Sequence, residues 1–401
     1  MSALEKYWIV TALTVVSGAF GILIWQPAAL ILFYMLPSLL IYHKQQAIDV
    51  SLKSWPIWLV VVWGFISSQW SRYPFVTISW TILLLLSTLV GLLMAVRYEH
   101  DTIEDILQNF ASIIILFGVI GNLFNIASVM NTIIQTDRWS EIFYDKNIAG
   151  RIYAFSFIIF LLKAEKSRSW QRLLWMTLCL CSVVLIRQAD SATALITVIL
   201  VTVVFACWKS IPVLAKFAPV FRKRLPQLMV ISMTVIIPIA VLMILYLDAI
   251  LGLIGRSSQL SGRTKLWDIS QKAGWESPVL GFGYGTAFVE IPTIAPLDTW
   301  MIHAHNLYLE LWLQLGIIGF IIVISLIVFV LLLSIQSLYT DEKSRFSLLF
   351  ITFVLAYSVT ESDLISAKVD VAWVWVMFSY LYFSFQQQLL LKTADSKRGE
   401  A

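Results

Sequence analysis

Two of the four histidines in this 401-residue chain fall within one tetrapeptide, His303-Ala304-His305-Asn306. Near neutral pH, imidazole is the side chain best suited to take a proton from a sugar hydroxyl. The tetrapeptide also stands just before a long apolar run, where Asn306 or a histidine could instead cap the helix that follows. Sequence leaves both roles open.

A second group is cationic: Arg72, Arg138, Lys146, Arg151, Arg187, Arg256, Arg263, Lys265, Lys272 and Lys368, several of them at the ends of apolar runs. A guanidinium beside hydrocarbon either reaches lipid headgroups or binds another anion. Arg187 follows Leu185-Ile186 directly and has Asp190 as a candidate ion-pair partner, while Arg151 follows Gly150 at the mouth of a span. Such a fork grips phosphate oxygens bidentately and keeps its charge, which suits a site that holds a pyrophosphate and stabilises it as a leaving group. Glu361, Asp363 and Asp370 lie between the last two apolar runs, placed to pair with the outer arginines or Lys368, with a base role as the alternative. Gly281-Phe282-Gly283-Tyr284-Gly285 follows no strand and precedes no Lys-Ser pair, so it meets neither nucleotide fingerprint and reads as a tight turn.

The elements that position these residues are membrane spans. A composition 59% hydrophobic and 13% charged, with mean hydropathy +0.84, lies far outside the soluble range. Crossing a hydrocarbon core of roughly 30 Å takes about 20 residues at about 1.5 Å each. Runs near 7–24, 27–42, 55–68, 75–96, 106–127, 148–162, 171–187, 191–207, 229–252, 310–335, 346–360 and 371–391 give about twelve spans. The third, sixth and the closely spaced seventh and eighth are the least distinct. The first run lacks a basic leader and a small-residue cleavage site, so it reads as a span rather than a signal peptide.

With both termini inside, eighteen of the 28 Lys and Arg residues fall in inner loops and tails, a positive-inside bias that sets the orientation. The ten cations named above are then outside. The chain divides into spans one to nine (1–252), an outer loop (253–304), and spans ten to twelve with the tail (305–401). That loop is too rich in Trp, Leu, Ile and Phe for disorder, and Thr264 to Trp275 within it predicts a short amphipathic helix on the membrane surface. Seventeen Trp and fourteen Tyr suit a chain with many lipid-water boundaries. Cys179, Cys181 and Cys207 all lie in apolar runs without zinc-ligand spacing, so neither a disulfide framework nor a metal site is expected. The net charge of +4 is orientation information, and no nucleic-acid surface is expected.

Several motifs resemble the superfamily of O-antigen polymerases (Wzy type), exopolysaccharide polymerases and O-antigen ligases. His305-Asn306, nine residues, then Gly316-Ile317-Ile318-Gly319 looks like its His-Asn-x9-Gly-x-x-Gly element, with Leu309-Glu310 in place. Gly262-Arg263 with Trp267, Pro278, Gly281 and Gly283 resembles its Gly-Arg-x-x-x-Trp loop. Lys146-Asn147 with Gly150 is similar to its His-Lys-Asn-x-x-Gly segment, although Asp145 stands where histidine is common. Ser191-Ala192-Thr193-Ala194-Leu195 and Thr360-Glu361-Ser362 match two further runs, while the stretch from Arg187 to Asp190 departs from the usual serine-rich approach.

The resemblance implies an all-α fold of the class C glycosyltransferase kind in a bacterial inner membrane, with the active site facing the periplasm. It implies metal-independent, inverting glycosyl transfer from an undecaprenyl-pyrophosphate-linked oligosaccharide, without a cofactor. By position His305 is the candidate base, with Arg263 and Arg187 as pyrophosphate ligands. Lys146, Asn147, Arg151, Arg256, His303, Asn306 and Glu361 complete the candidate substrate site. Membrane lipid, a chain-length regulator and a flippase are the implied partners. The Lys146-Asn147 segment favours a polymerase, and a ligase that moves glycan to lipid A-core is the alternative. A transporter of lipid-linked sugar would call for paired charges at mid-span and internal symmetry, whereas these charges gather at helix ends and no repeat is found.

Overall fold

The computed structural model describes residues 54–97, 100–128, 143, 146–217, 224–232, 261–293 and 303–362, with positions 52, 131, 234, 373, 376 and 379–381. The first two expected spans, most of the ninth and twelfth, and Arg256 lie outside the described residues. Within them, every expected apolar run is helical: α1 (Trp55–Ile66), α2 (Pro74–Arg97), α3 (His100–Leu123), α4 (Lys146–Lys166), α5 (Ser169–Gln188), α6 (Ala192–Phe217), α9 (Leu307–Ser337) and α10 (Ser344–Tyr357). The stretch before α9 contributes α7 (Ser261–Gly274) and the single turn α8 (Ala287–Glu290).

Among the described residues α3, α4, α5, α6 and α9 are each long and apolar enough to cross a membrane, so the described part of the chain is helical throughout its regular elements and the protein is membrane-embedded. The third expected span is short: α1 has 12 residues before a 3-10 turn, Ser67–Gln69. The closely spaced α5 and α6 are separate helices.

Helix α4 is the hub. From Ile152 to Leu162 it is buried all round, as only a helix enclosed by others can be, and it packs against α3, α5, α6 and α10. Phe155 meets Phe346 and Phe350 of α10 edge to face, and Phe160 stacks on Trp175 of α5. Helix α5 leaves Trp170, Leu173, Leu180 and Val184 exposed, an apolar face suited to lipid.

The alternating helix directions sort the charges onto two ends. At one end lie Lys163–Asp105, Lys166–Glu104, Arg345–Glu165 and Lys343–Asp101 ion pairs. At the other end lie the start of α4, the end of α5, the starts of α6 and α9, and the end of α10.

Helix α9 holds 31 residues, about 46 Å at about 1.5 Å each, and its helical course breaks at Gly316 (φ 65°, ψ −171°). Four of the backbone groups released there bond outside the helix. The Leu313 carbonyl accepts from Phe282 N (2.8 Å), the Gln314 carbonyl from Gly283 N (2.9 Å), and the Leu315 carbonyl from the Trp63 indole (3.0 Å). Ile317 N donates to the Pro278 carbonyl at 3.0 Å. A broken helix is tolerated at membrane depth only when its freed groups find such partners. The glycine-rich turn is therefore a plug seated in the break, and it is confined to glycine where it touches α9. A Cβ on Gly281 (φ 72°) would sit 2.5 Å from Gly316 N, and one on Gly316 would sit 2.1 Å from the Val279 carbonyl oxygen.

Alanine at either position would combine backbone overlap with a left-handed conformation, which alone costs about 1–2 kcal/mol. Gly281→Ala and Gly316→Ala should each lower stability by at least about 2 kcal/mol. A thermal-unfolding series in detergent against Gly262→Ala as control measures the loss.

Candidate functional site

Helix α7 begins at Ser261, three residues earlier than its sequence pattern suggests, and this brings Arg263 inside the helix. Arg263 and Trp267 then lie one turn apart on one face. The Arg263 guanidinium donates to the Thr360 carbonyl (2.5 Å) and to Glu361 Oε1 (2.8 Å). The pair is well enclosed, with side-chain exposures of 13% for Arg263 and 6% for Glu361. The second oxygen of the same carboxylate, Glu361 Oε2, lies 3.2 Å from His305 Nδ1.

An ionised carboxylate only accepts hydrogen bonds, so opposite an ionised Glu361 the Nδ1 of His305 is the donor, and in the neutral imidazole Nε2 then carries the lone pair. His303 packs on His305 with ring centroids 3.8 Å apart.

The backbone around His305 is held with equal care. His305 itself is left-handed (φ 47°). Ala304 before it gives its N–H to Glu310 Oε2 (2.6 Å) and receives the Trp267 indole N–H on its carbonyl (2.8 Å). Asn306 after it caps α9, its side-chain oxygen accepting from Leu309 N at 3.0 Å. The two roles that sequence left open are thus divided between neighbours: Asn306 caps, and His305 faces the carboxylate.

Buried Glu310 reaches Gln314 with its other oxygen, and the Gln314 side-chain oxygen accepts from Gly285 N at 3.0 Å. This chain of contacts links the histidine segment to the glycine plug. Thr193 at the start of α6 bonds Thr360 across 2.7 Å, and Tyr357 donates to the Asn147 carbonyl at 2.7 Å, so α4, α6, α7, α9 and α10 converge on one cluster.

The remaining cations stand on the rim. Asp190 (φ 51°) lies 3.9 Å from Arg187 and 3.8 Å from Lys146, in ion pairs that are exposed on the carboxylate side. Arg151 is half-buried one turn into α4. On the same end, burial raises the carboxyl of Glu290 above the usual carboxylate range; nearby Arg72 draws it back down and Glu276 pushes it further up.

Sequence singled out His305, Arg263, Glu361 and Asn306, and all four meet here. It assigned no site role to Trp267, Glu310 or Thr360. Trp267 carried a signal in its four-residue spacing from Arg263, but the later helix start hid it. No group of three or more His, Cys, Asp or Glu suited to a metal ion occurs among the described residues.

Residues 174–324 match the family model described as O-antigen ligase. Over 104 residues the chain is 33% identical to the ComP-specific O-oligosaccharyltransferase of Acinetobacter baylyi, a match that takes in 25% of this chain and 18% of that protein. Over 105 residues it is 30% identical to the exopolysaccharide production protein ExoQ of Rhizobium meliloti, covering 24% of each. These matches show the resemblance to the O-antigen polymerase and ligase superfamily, and they span a quarter or less of each relative's own length. The family match covers Arg187, Arg263, His303, His305 and the Gly316 break; Lys146, Asn147, Arg151 and Glu361 lie outside it.

The capping role of Asn306 is separable from chemistry. Asn306→Ala should cost about 1 kcal/mol of stability, and Asp or Ser at that position should restore most of it. Thermal unfolding of the three variants in detergent tests the assignment.

Proposed function

We propose that the chain is a membrane glycosyltransferase that joins lipid-pyrophosphate-linked oligosaccharide repeats, a polysaccharide polymerase of the O-antigen or exopolysaccharide type. The observation that carries this reading is the His305–Glu361 contact at 3.2 Å, a hydrogen-bonded imidazole at the helix end where several cations gather. In the comparisons, one relative is named as an O-oligosaccharyltransferase and the other as an exopolysaccharide production protein, which supports glycan transfer as the class of reaction.

In this mechanism the acceptor hydroxyl gives its proton to His305 Nε2 while its oxygen attacks the anomeric carbon from the side opposite the lipid. The bond from that carbon to the pyrophosphate oxygen breaks, and the lipid pyrophosphate leaves with the electron pair. A single displacement inverts the anomeric centre. Arg263 and Arg187 are the cations assigned to the developing negative charge, with Lys146, Arg151 and Arg256 as further substrate contacts. His303 and Asn147 border the sugar side. The basic ends of α4, α6, α9 and α10 support an orientation in which this site faces the periplasm, in an inner-membrane protein of about twelve spans. A flippase that delivers the lipid-linked repeat and a regulator of chain length fit as partners of such an enzyme.

A second reading rests on the family match itself, whose description is O-antigen ligase. A ligase would use the same base and cations on a different acceptor, the lipid A-core.

Purified protein supplied with a lipid-pyrophosphate oligosaccharide repeat as sole substrate should yield a ladder of longer lipid-linked glycans on a gel. Product only after lipid A-core is added would make it a ligase; no product with either acceptor would remove glycosyl transfer. His305→Ala should slow product formation by about 10²- to 10⁴-fold while the folded protein persists, and retained long-chain glycan would take His305 out of the chemistry.

A further inference from the structure

We infer that the turn between α7 and α8 is immersed in the bilayer: Trp275, Val279 and Leu280 continue the lipid-facing stripe of α9 and lie against acyl chains just beneath the headgroups on the histidine side. The partner of this surface is hydrocarbon, whatever reaction the histidine site performs.

The distribution of charge along this stretch sets its limits. Asp268 and Lys272 on α7 are exposed and pair with each other at 2.7 Å. From Ser277 to Val289, between Glu276 and Glu290, the sequence then holds no charged residue. The apolar residues of α7 itself are turned to protein: Leu266 and Ala273 are buried, and Ile269 packs with Phe282 and Ala287 in a small core. The strongly exposed apolar side chains come after the helix. Trp275 is 68% exposed, Val279 51% and Leu280 37%, which water would penalise and acyl chains would not.

That exposure is continuous with a lipid face. On α9, Ile317, Ile321, Val328, Phe329 and Leu332 are exposed at helical spacing, one apolar stripe along a helix long enough to cross the membrane. The turn is fastened beside one end of this stripe: Ile317 N donates to the Pro278 carbonyl, and the backbone of Val279 and Leu280 lies against Gly316. Depth follows from length. Residues 317–337 rise about 30 Å at about 1.5 Å each, the thickness of a hydrocarbon core. Their far end leads into Asp341, Glu342, Lys343 and Arg345, so Gly316 falls at the opposite hydrocarbon boundary. Tryptophans gather at that level. Trp312 packs edge-on against Trp275 at 5.5 Å and donates to the Pro278 carbonyl, and Trp70 donates to the Leu280 carbonyl. An indole, with its apolar body and single N–H donor, is the side chain that settles at such a boundary.

Two measurements on the full-length protein in phosphatidylcholine nanodiscs test the immersion. In the first, the wild type is irradiated with a phosphatidylcholine that carries a diazirine on its acyl chain, and the adducts are mapped by peptide mass spectrometry. Adducts should fall on Trp275 to Leu280 at a yield comparable with that on the α9 stripe, and Lys265 to Lys272 should carry none. In the second, single spin labels are placed at Val279→Cys and Leu280→Cys, in a chain with the half-buried Cys181 and Cys207 replaced by Ala and buried Cys179 retained. Ile321→Cys marks hydrocarbon and Lys272→Cys marks water. Relaxation is read with oxygen, which concentrates in hydrocarbon, and with a water-soluble nickel chelate.

Labels at 279 and 280 should behave like Ile321→Cys, relaxed by oxygen and shielded from nickel. Nickel relaxation as strong as at Lys272→Cys would put the turn in water, as a surface open to sugar, and would overturn the inference. Shielding from both probes would mean that protein covers the turn, whether a second copy of the chain or another partner, and rejects a hydrocarbon partner equally. Where a cysteine variant fails to fold, the wild-type photolabelling still decides: lipid adducts on α9 with none on Trp275 to Leu280 rule the immersion out. Neither measurement involves turnover, so its result stands apart from that of the glycan-transfer assay.

Discussion

Hydrocarbon cannot hydrate a broken helix, and from that constraint much of the architecture follows. Where α9 breaks at Gly316, three carbonyls and one N–H need partners, and residues 278–283 together with Trp63 provide them. The stretch between α7 and α8 is therefore bolted to α9 by backbone geometry rather than draped over it. Two further tryptophans tighten the seat: Trp312 donates to the Pro278 carbonyl at 3.0 Å, and Trp70 to the Leu280 carbonyl at 3.2 Å. Helix α7 ends at Gly274, whose missing side chain leaves room for the Trp312 ring. With its C-terminal end fixed there, α7 lies across the start of α9, and Arg263 and Trp267 fall against Glu361 and Ala304. The break and the histidine site are thus two ends of one packed assembly, joined through Gln314 and Glu310.

Within it, the Glu361 carboxylate is the electrostatic centre. A buried ion pair seldom adds much net stability, because the desolvation of both charges offsets their attraction. What such a pair does well is define geometry. Glu361 has one oxygen on Arg263 and the other on His305, so the imidazole plane, its tautomer and the position of α7 are set together. Thr360, one residue earlier, gives its carbonyl to Arg263 and its hydroxyl to Thr193, which ties the end of α10 to the start of α6. Removing any one of these groups would leave a buried polar neighbour without its partner, and the site is accordingly sensitive to single polar substitutions.

Much of this could be read from residues alone, and the reasons for the rest are physical. Long apolar runs disclose helices because crossing a membrane demands length and hydropathy together, so α3 to α6 and α9 were legible. The histidine segment and the cations were legible because such groups are rare in an apolar chain. Pairing of Glu361 with an outer arginine was legible as a class of contact, but which arginine depends on the fold. The break at Gly316 left no periodic signature: the residues on both sides are apolar, and a reversal of φ has no hydropathy. The first turn of α7, Ser261-Gly262-Arg263, is polar and holds a glycine, so the apolar stripe that discloses the helix starts only at Leu266. Asn306 shows a different limit. An asparagine before an apolar run suits a cap and a sugar contact equally well, and its bond to Leu309 N shows the cap.

The two ends of the bundle treat charge differently, and the difference bears on what each end is for. At the far end, Lys163, Lys166, Lys343 and Arg345 each meet a carboxylate among the described residues, a balanced set that serves packing. At the histidine end, the pairing of Arg263 with Glu361 is similarly closed and deeply enclosed. Around it, Lys146 and Arg187 both approach the carboxylate of Asp190, which is 73% exposed, at 3.8 and 3.9 Å. Contacts of that length in high dielectric are weak and readily exchanged. An anion with more charge and more acceptor oxygens than one aspartate would displace Asp190 from such contacts more readily than it would displace an enclosed carboxylate. This end therefore holds two kinds of ion pair: an enclosed one, in which Arg263 and Glu361 fix each other against His305, and an exposed one around Asp190, whose long contacts exchange readily.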